Sequence, residues 1–102
     1  MRNDRVSVVR QPLYGKGANV AYTGVAGTTA AMDATGATAI LVICTTLAYV
    51  RVGVNPTATV ADLPVAPNVP TLIPINDDSG AQIKVSAIQV AAGGTVYAIP
   101  VM

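Results

Sequence analysis

Thr38-Ala39-Ile40-Leu41-Val42-Ile43-Cys44-Thr45-Thr46-Leu47-Ala48-Tyr49-Val50-Arg51-Val52-Gly53-Val54 carries two apolar patterns in succession, and together they set the fold class. Residues 38–46 are a continuous apolar run of strand length, rich in β-branched side chains, which predicts a strand buried on both faces. The pattern then alternates. Ala48, Val50, Val52 and Val54 face one way and Tyr49 and Arg51 the other, as in a strand with one core face and one solvated or partner-facing side. A turn near Thr46-Leu47 would pair the two runs as a hairpin, although no Asn-Gly dipeptide marks it. No charge falls between Asp33 and Arg51, but the compact apolar part, residues 39–50, is shorter than the roughly 20 residues of a spanning helix. A buried strand or hairpin is the expectation.

Downstream, Pro56, Pro64, Pro67 and Pro70 punctuate residues 55–70. Proline has a fixed φ and no N–H, so this is expected to be a surface connection and not an inner strand. Pro74 likewise limits Leu72-Ile73-Pro74-Ile75 to a sheet edge. Asn76-Asp77-Asp78-Ser79-Gly80 is the strongest turn signal, because Asx and Ser side chains bond nearby backbone and Gly supplies positive φ. Gln82 to Ala87 alternates, and Ile88 and Val90 then shift the parity, predicting a bulge near Ala87-Ile88. After a turn at Gly93-Gly94, residues 95–101 form a closing strand with Tyr97, Ile99 and Val101 on one face.

Upstream, Asn19-Val20-Ala21-Tyr22-Thr23 reads as a strand, and residues 28–32 lack helical periodicity, so they are expected to be irregular or extended. Arg5-Val6-Ser7-Val8 alternates until Val9-Arg10-Gln11-Pro12 breaks the pattern, which predicts a short strand or arm. The expected architecture is all-β: a small antiparallel β-sandwich or barrel, residues 17–102, preceded by an extended N-terminal arm, residues 1–16.

Composition narrows the function. The chain has 102 residues, 52% apolar and 11% charged, against about 25% charged in an ordinary soluble domain. It has no His, Glu, Trp or Phe, four Tyr and one Cys. General acid–base catalysis draws most often on His or paired carboxylates, so an enzyme is not expected. So little charge covers an apolar domain poorly, which predicts burial against partners, above all other copies of the chain. The net charge is +1, with Arg2, Arg5, Arg10 and Lys16 near the start. A solvated N-terminal segment accounts for these cations, and a nucleic-acid interface would need a broader basic stripe.

Candidate chemical groups are few. Cys44 lies in the apolar run and reads as a small buried hydrophobe, since a nucleophile would need a His. Zinc needs more Cys or His ligands than the chain has, and Asn76-Asp77-Asp78-Ser79 reads as a turn before it reads as a calcium site. No metal or cofactor is expected. Gly15-Lys16-Gly17 and Gly24-Val25-Ala26-Gly27 do not fit a phosphate-binding loop. Tyr49 and Arg51 share one strand face, where cross-strand packing is a simpler role than base stacking. Four scattered tyrosines give little support to a carbohydrate- or ligand-binding module. Met1-Arg2-Asn3-Asp4-Arg5 is followed by no apolar h-region, so no signal peptide is expected.

Val50-Arg51-Val52-Gly53-Val54-Asn55-Pro56-Thr57-Ala58-Thr59 resembles a pattern of small tailed-bacteriophage virion proteins, V-x-V-G-x-x-P-T-A-T, followed by a Pro-rich connection. Gly80-Ala81-Gln82-Ile83-Lys84-Val85-Ser86-Ala87-Ile88-Gln89 and Gly93-Gly94-Thr95-Val96-Tyr97 continue the likeness, which spans about residues 40–102. The chain departs from it at Pro64-Val65-Ala66-Pro67 and in lacking a Trp near its end. The resemblance implies a capsid decoration (cement) protein that binds the major capsid protein of the assembled shell, often as a trimer. The alternative is a head–tail junction, tail or fibre component. It further implies a product made in the host cytoplasm and held in the virion, and a fixed corner at Gly53, Asn55, Pro56 and Thr57. Arg5, Val6, Val8, Arg10 and Gln11 of the arm are the candidate capsid contacts.

Overall fold

A computed structural model describes residues 11–75 and 82–102. These hold eight strands and no helix: β1 (Ala18–Tyr22), β2 (Gly27–Thr28), β3 (Ala39–Cys44), β4 (Ala48–Gly53), β5 (Leu63–Val65), β6 (Thr71–Pro74), β7 (Lys84–Gln89) and β8 (Gly94–Val101). Among the described residues, then, no helix is long and apolar enough to cross a membrane. The strands form two four-stranded sheets, a front sheet ordered β1-β8-β3-β6 and a back sheet ordered β2-β7-β4-β5. All strand pairings within them are antiparallel. The expected all-β fold is therefore present.

The core lies between the sheets. Ile40, Val42, Cys44 and Val96 of the front sheet and Ala48, Val50, Val85 and Ala87 of the back sheet belong to one buried cluster. Such side chains are small, so the layers approach closely and tolerate little added bulk. Gly94 shows this best: a Cβ there would run into the hydroxyls of Thr45, Thr46 and Tyr22. Tyr22 supplies the one fully buried ring, 2% exposed. Its hydroxyl donates to the Thr46 carbonyl oxygen at 2.7 Å and accepts from the Thr46 N–H at 3.2 Å, satisfying the polar tip inside the fold.

Three local expectations change. Residues 38–46 and 48–54 do not form a hairpin, because β3 and β4 belong to different sheets. Thr45 and Thr46 instead make a corner between the layers, where the Thr45 N–H bonds the Thr95 carbonyl oxygen at 3.0 Å and Tyr22 holds Thr46. Nor is β3 buried equally on both faces: Ile40, Val42 and Cys44 are fully enclosed, whereas Leu41 and Ile43 are only half-buried. No bulge occurs at Ala87-Ile88, since the β4–β7 register runs unbroken from Ala48 opposite Gln89 to Gly53 opposite Lys84. The shift of apolar parity arises because Ile88 faces outward opposite Tyr49. Val54, expected to continue the inward row of β4, lies beyond the strand and is exposed.

Two prolines take the edge placement expected of them, whereas Pro56 of the expected surface connection is buried and Pro100 lies in the inner strand β8. Pro64 lies in β5 and Pro74 in β6, both edge strands, where a missing N–H breaks no inner ladder. Tyr97, Ile99 and Val101 share one parity of β8, as the alternation required, but Val101 is buried whereas Tyr97 is half-exposed. The turn expected at residues 76–80 lies outside the described residues.

Candidate functional site

The two outer faces of the sandwich are built differently. On the front sheet, register puts Ile43 opposite Tyr97, and Leu41 opposite both Ile99 and Leu72. Asn19 flanks Tyr97 on the other side. These side chains point away from the core, because their strand neighbours Val42, Ala98 and Val96 point into it. Tyr97 is 50% exposed and Leu72 45%. None of these named side chains is charged. A groove of about 260 Å³, lined by Gly17, Asn19, Ile43, Tyr97 and Ile99 among others, opens beside the Tyr97 ring. Gly17 has no side chain to fill it, and a Cβ there would lie 2.8 Å from the Ala98 carbonyl oxygen.

The back sheet is covered in part. After β4 the chain turns over its own strand, so that Pro56 and Ala58 are buried while Asn55 and Thr57 face solvent. Beneath them sits Ser86, an outward residue of β7 that is nonetheless fully buried. Its Oγ accepts the Ala58 N–H at 2.9 Å and the Thr28 hydroxyl at 3.2 Å. Asp62 pins the far end. It accepts the Thr59 N–H at 2.7 Å and the Arg51 Nε–H at 3.0 Å. The Thr59 backbone donor holds the Asp62 carboxyl below its ordinary range; burial opposes it next, and the Arg51 guanidinium adds to the lowering. Tyr49 is half-buried between Pro64 and Ile88 across the strands, and Arg51 is engaged by Asp62. That is cross-strand packing and ion pairing on one strand face.

The remaining titratable groups are also tied locally. Asp33 accepts the Thr35 N–H at 3.1 Å and lies 3.5 Å from the Lys16 ammonium, and these contacts lower its carboxyl, Thr35 first. Cys44 is fully enclosed, and burial pushes its thiol up against the smaller opposing influence of the Tyr22 hydroxyl. A thiol held protonated in an apolar layer is a poor nucleophile. Among the described residues no cluster of His, Cys, Asp and Glu could hold a metal ion.

Of the arm residues singled out in the sequence, Arg5, Val6, Val8 and Arg10 lie outside the described residues. Gln11 is exposed, and its carbonyl oxygen accepts the Met102 N–H at 2.9 Å. Residues 11–13 run along the end of β8, with Pro12 bridged to Val101 and the Leu13 N–H on the Pro100 carbonyl oxygen at 2.9 Å. Gly53 ends β4 opposite Lys84, and residues 53–57 carry the chain off that strand and over the sheet. Two features escaped sequence reasoning: the open front face and the buried Ser86 anchor. The first had a signal in the apolar residues at both parities of residues 39–44. The second had none, because a Ser in an alternating strand reads as solvent-facing.

Compared with protein families, curated proteins and solved structures, the chain finds no match in any of the three.

Proposed function

We propose that this chain is a non-enzymatic phage capsid decoration protein, which binds the major capsid protein of the assembled shell as a homo-oligomer, on the expected pattern a trimer. The observation that carries the reading is the open, uncharged apolar face of the front sheet. A monomer gains nothing by leaving Tyr97, Leu72, Ile43, Leu41 and Ile99 in a contiguous outward array, and such arrays mark interaction surfaces. The virion setting is supported by the likeness of residues 50–59 to small tailed-phage structural proteins. The N-terminal arm, Arg5 to Gln11, is assigned to the shell.

The mechanism is linkage. A protein that binds only the assembled shell stabilises that state, by about 2.7 kcal/mol per site when its concentration is 100 times Kd. No bond is made or broken. With so few charges available, binding is expected to survive high salt, where screening cuts electrostatic reach to about 3 Å at 1 M.

The test is co-sedimentation of the purified chain with assembled shells and, separately, with unassembled capsid subunits, followed by thermal disruption of the shells. Saturable binding to shells alone, undiminished by salt and accompanied by a higher disruption temperature, is the expected result. Absence of binding, or release by moderate salt, overturns the reading.

A further inference from the structure

Resting on the homo-oligomer of the proposed function, we infer that the outer face of the front sheet is where copies of this chain meet, the Tyr97 ring of one copy seating in the groove beside Ile43 and Ile99 of the next.

Charge is the first argument for a copy of itself over a foreign partner. The array formed by Asn19, Leu41, Ile43, Leu72, Tyr97 and Ile99 has no acidic or basic side chain, so it offers no sign for a charged partner to complement and no like charges to repel an identical face. Shape is the second. A half-exposed ring and a groove of about 260 Å³ stand side by side on one surface, so each copy brings both projection and recess. The Tyr97 hydroxyl makes no hydrogen bond among the described residues, as suits an aromatic with an apolar body and a polar tip left for a partner's edge.

The edges of the front sheet point the same way. Pro74 lies within the β6 edge, and a proline there interrupts pairing with a further strand. On the opposite edge, β1 is closed at its far end, where Gly27 packs against the Ala21 carbonyl and the Thr23 carbonyl oxygen accepts the Gln89 N–H at 3.0 Å. Continuing the sheet is thus hindered at one end of each edge, whereas the face itself is open among the described residues.

Area sets the strength. Four strands spaced about 4.8 Å apart, each contributing about six residues of about 3.4 Å, span about 400 Å². A pair of such faces amounts to about 800 Å², below the roughly 1,200–2,000 Å² of a stable interface. Self-association through this face alone is accordingly weak and concentration-dependent, and is consolidated when copies are gathered on a scaffold.

The experiment is sedimentation equilibrium of the full chain from low micromolar to near-millimolar concentration, alongside Tyr97→Asp, Leu72→Lys and Val60→Lys. Val60 is an exposed residue on the loop over the back sheet. The wild-type mass is expected to climb from 10.3 kDa to a small multiple of it. Tyr97→Asp and Leu72→Lys are expected to stay at the monomer mass, an association constant at least about tenfold weaker, or about 1.4 kcal/mol. Val60→Lys is expected to follow the wild type. Should a charge unfold the chain by circular dichroism, Tyr97→Ser, which only removes the ring, carries the same expectation. A wild type that stays monomeric throughout, folded front-face variants that associate normally, or equal loss in Val60→Lys overturns the inference. A monomer that still coats shells overturns this inference and leaves the capsid reading standing, whereas a chain that associates but ignores shells does the reverse.

Discussion

The front and back sheets have the same strand count and share one core, yet their outer faces end in opposite ways. The chain covers part of the back face itself, with residues 54–62 anchored midway on Ser86 through Ala58 and at their far end by the Arg51–Asp62 pair. Among the described residues nothing closes over Tyr97 and Leu72 of the front face, which stay half-exposed on β8 and β6. Alternating strands of a sandwich bury one side and must dispose of the other. Here one outer side is dealt with partly in the fold, and the other is the face proposed above for association.

The contrast breaks most visibly at the cover. Ala58→Glu forces a carboxylate into a buried site against Ser86, and is expected to lower the unfolding free energy by about 3 kcal/mol, read from a denaturant midpoint. Ser86→Ala is milder. It strips the acceptor from the buried Ala58 N–H, and a loss of about 1–2 kcal/mol in the same measurement would match.

Acid probes the loop's far end. The folded Asp62 carboxyl titrates below its ordinary value, so its contribution is complete above the unfolded pKa of about 3.9 and is lost as pH falls through the lower, folded one. Thermal melts from about pH 6 to about pH 3 are expected to show Tm dropping at the acid end. Asp62→Asn should begin a few degrees lower at neutral pH and fall less steeply.

The smallest effects belong to the front face. Tyr97→Ala and Leu72→Ala are expected to change monomer stability by no more than about 0.5 kcal/mol, because neither residue is enclosed within one copy. Tyr22→Ala, the same change in a buried and hydrogen-bonded ring, should cost about 3–5 kcal/mol. Equal losses at Tyr22 and Tyr97 would erase the distinction.

Much of the fold was legible in the residues. The alternation of Ala48 to Val52, the row Tyr97, Ile99 and Val101, and the edge placement of Pro74 all follow from a two-residue period and proline's missing donor. What failed was long-range. Nothing local around Thr46-Leu47 tells a hairpin turn from a corner between sheets, since the choice depends on whether β3 finds β8 and β6. The bulge expected at Ala87-Ile88 failed for a related reason: an outward Ile looks misplaced until Tyr49 is known to stand opposite it across the sheet. The candidate site was the least legible part, because apolar residues at both parities of β3 read the same whether a partner or the fold itself covers the second side.

Hydroxyl-radical footprinting of the chain, free in dilute solution and then bound to assembled shells, tests the central claim directly. In the bound state Tyr97 and Leu72 are predicted to lose most of their labelling, while Val54 and Val60 over the back sheet keep theirs. Undiminished labelling of Tyr97 and Leu72 on a fully decorated shell would contradict the account.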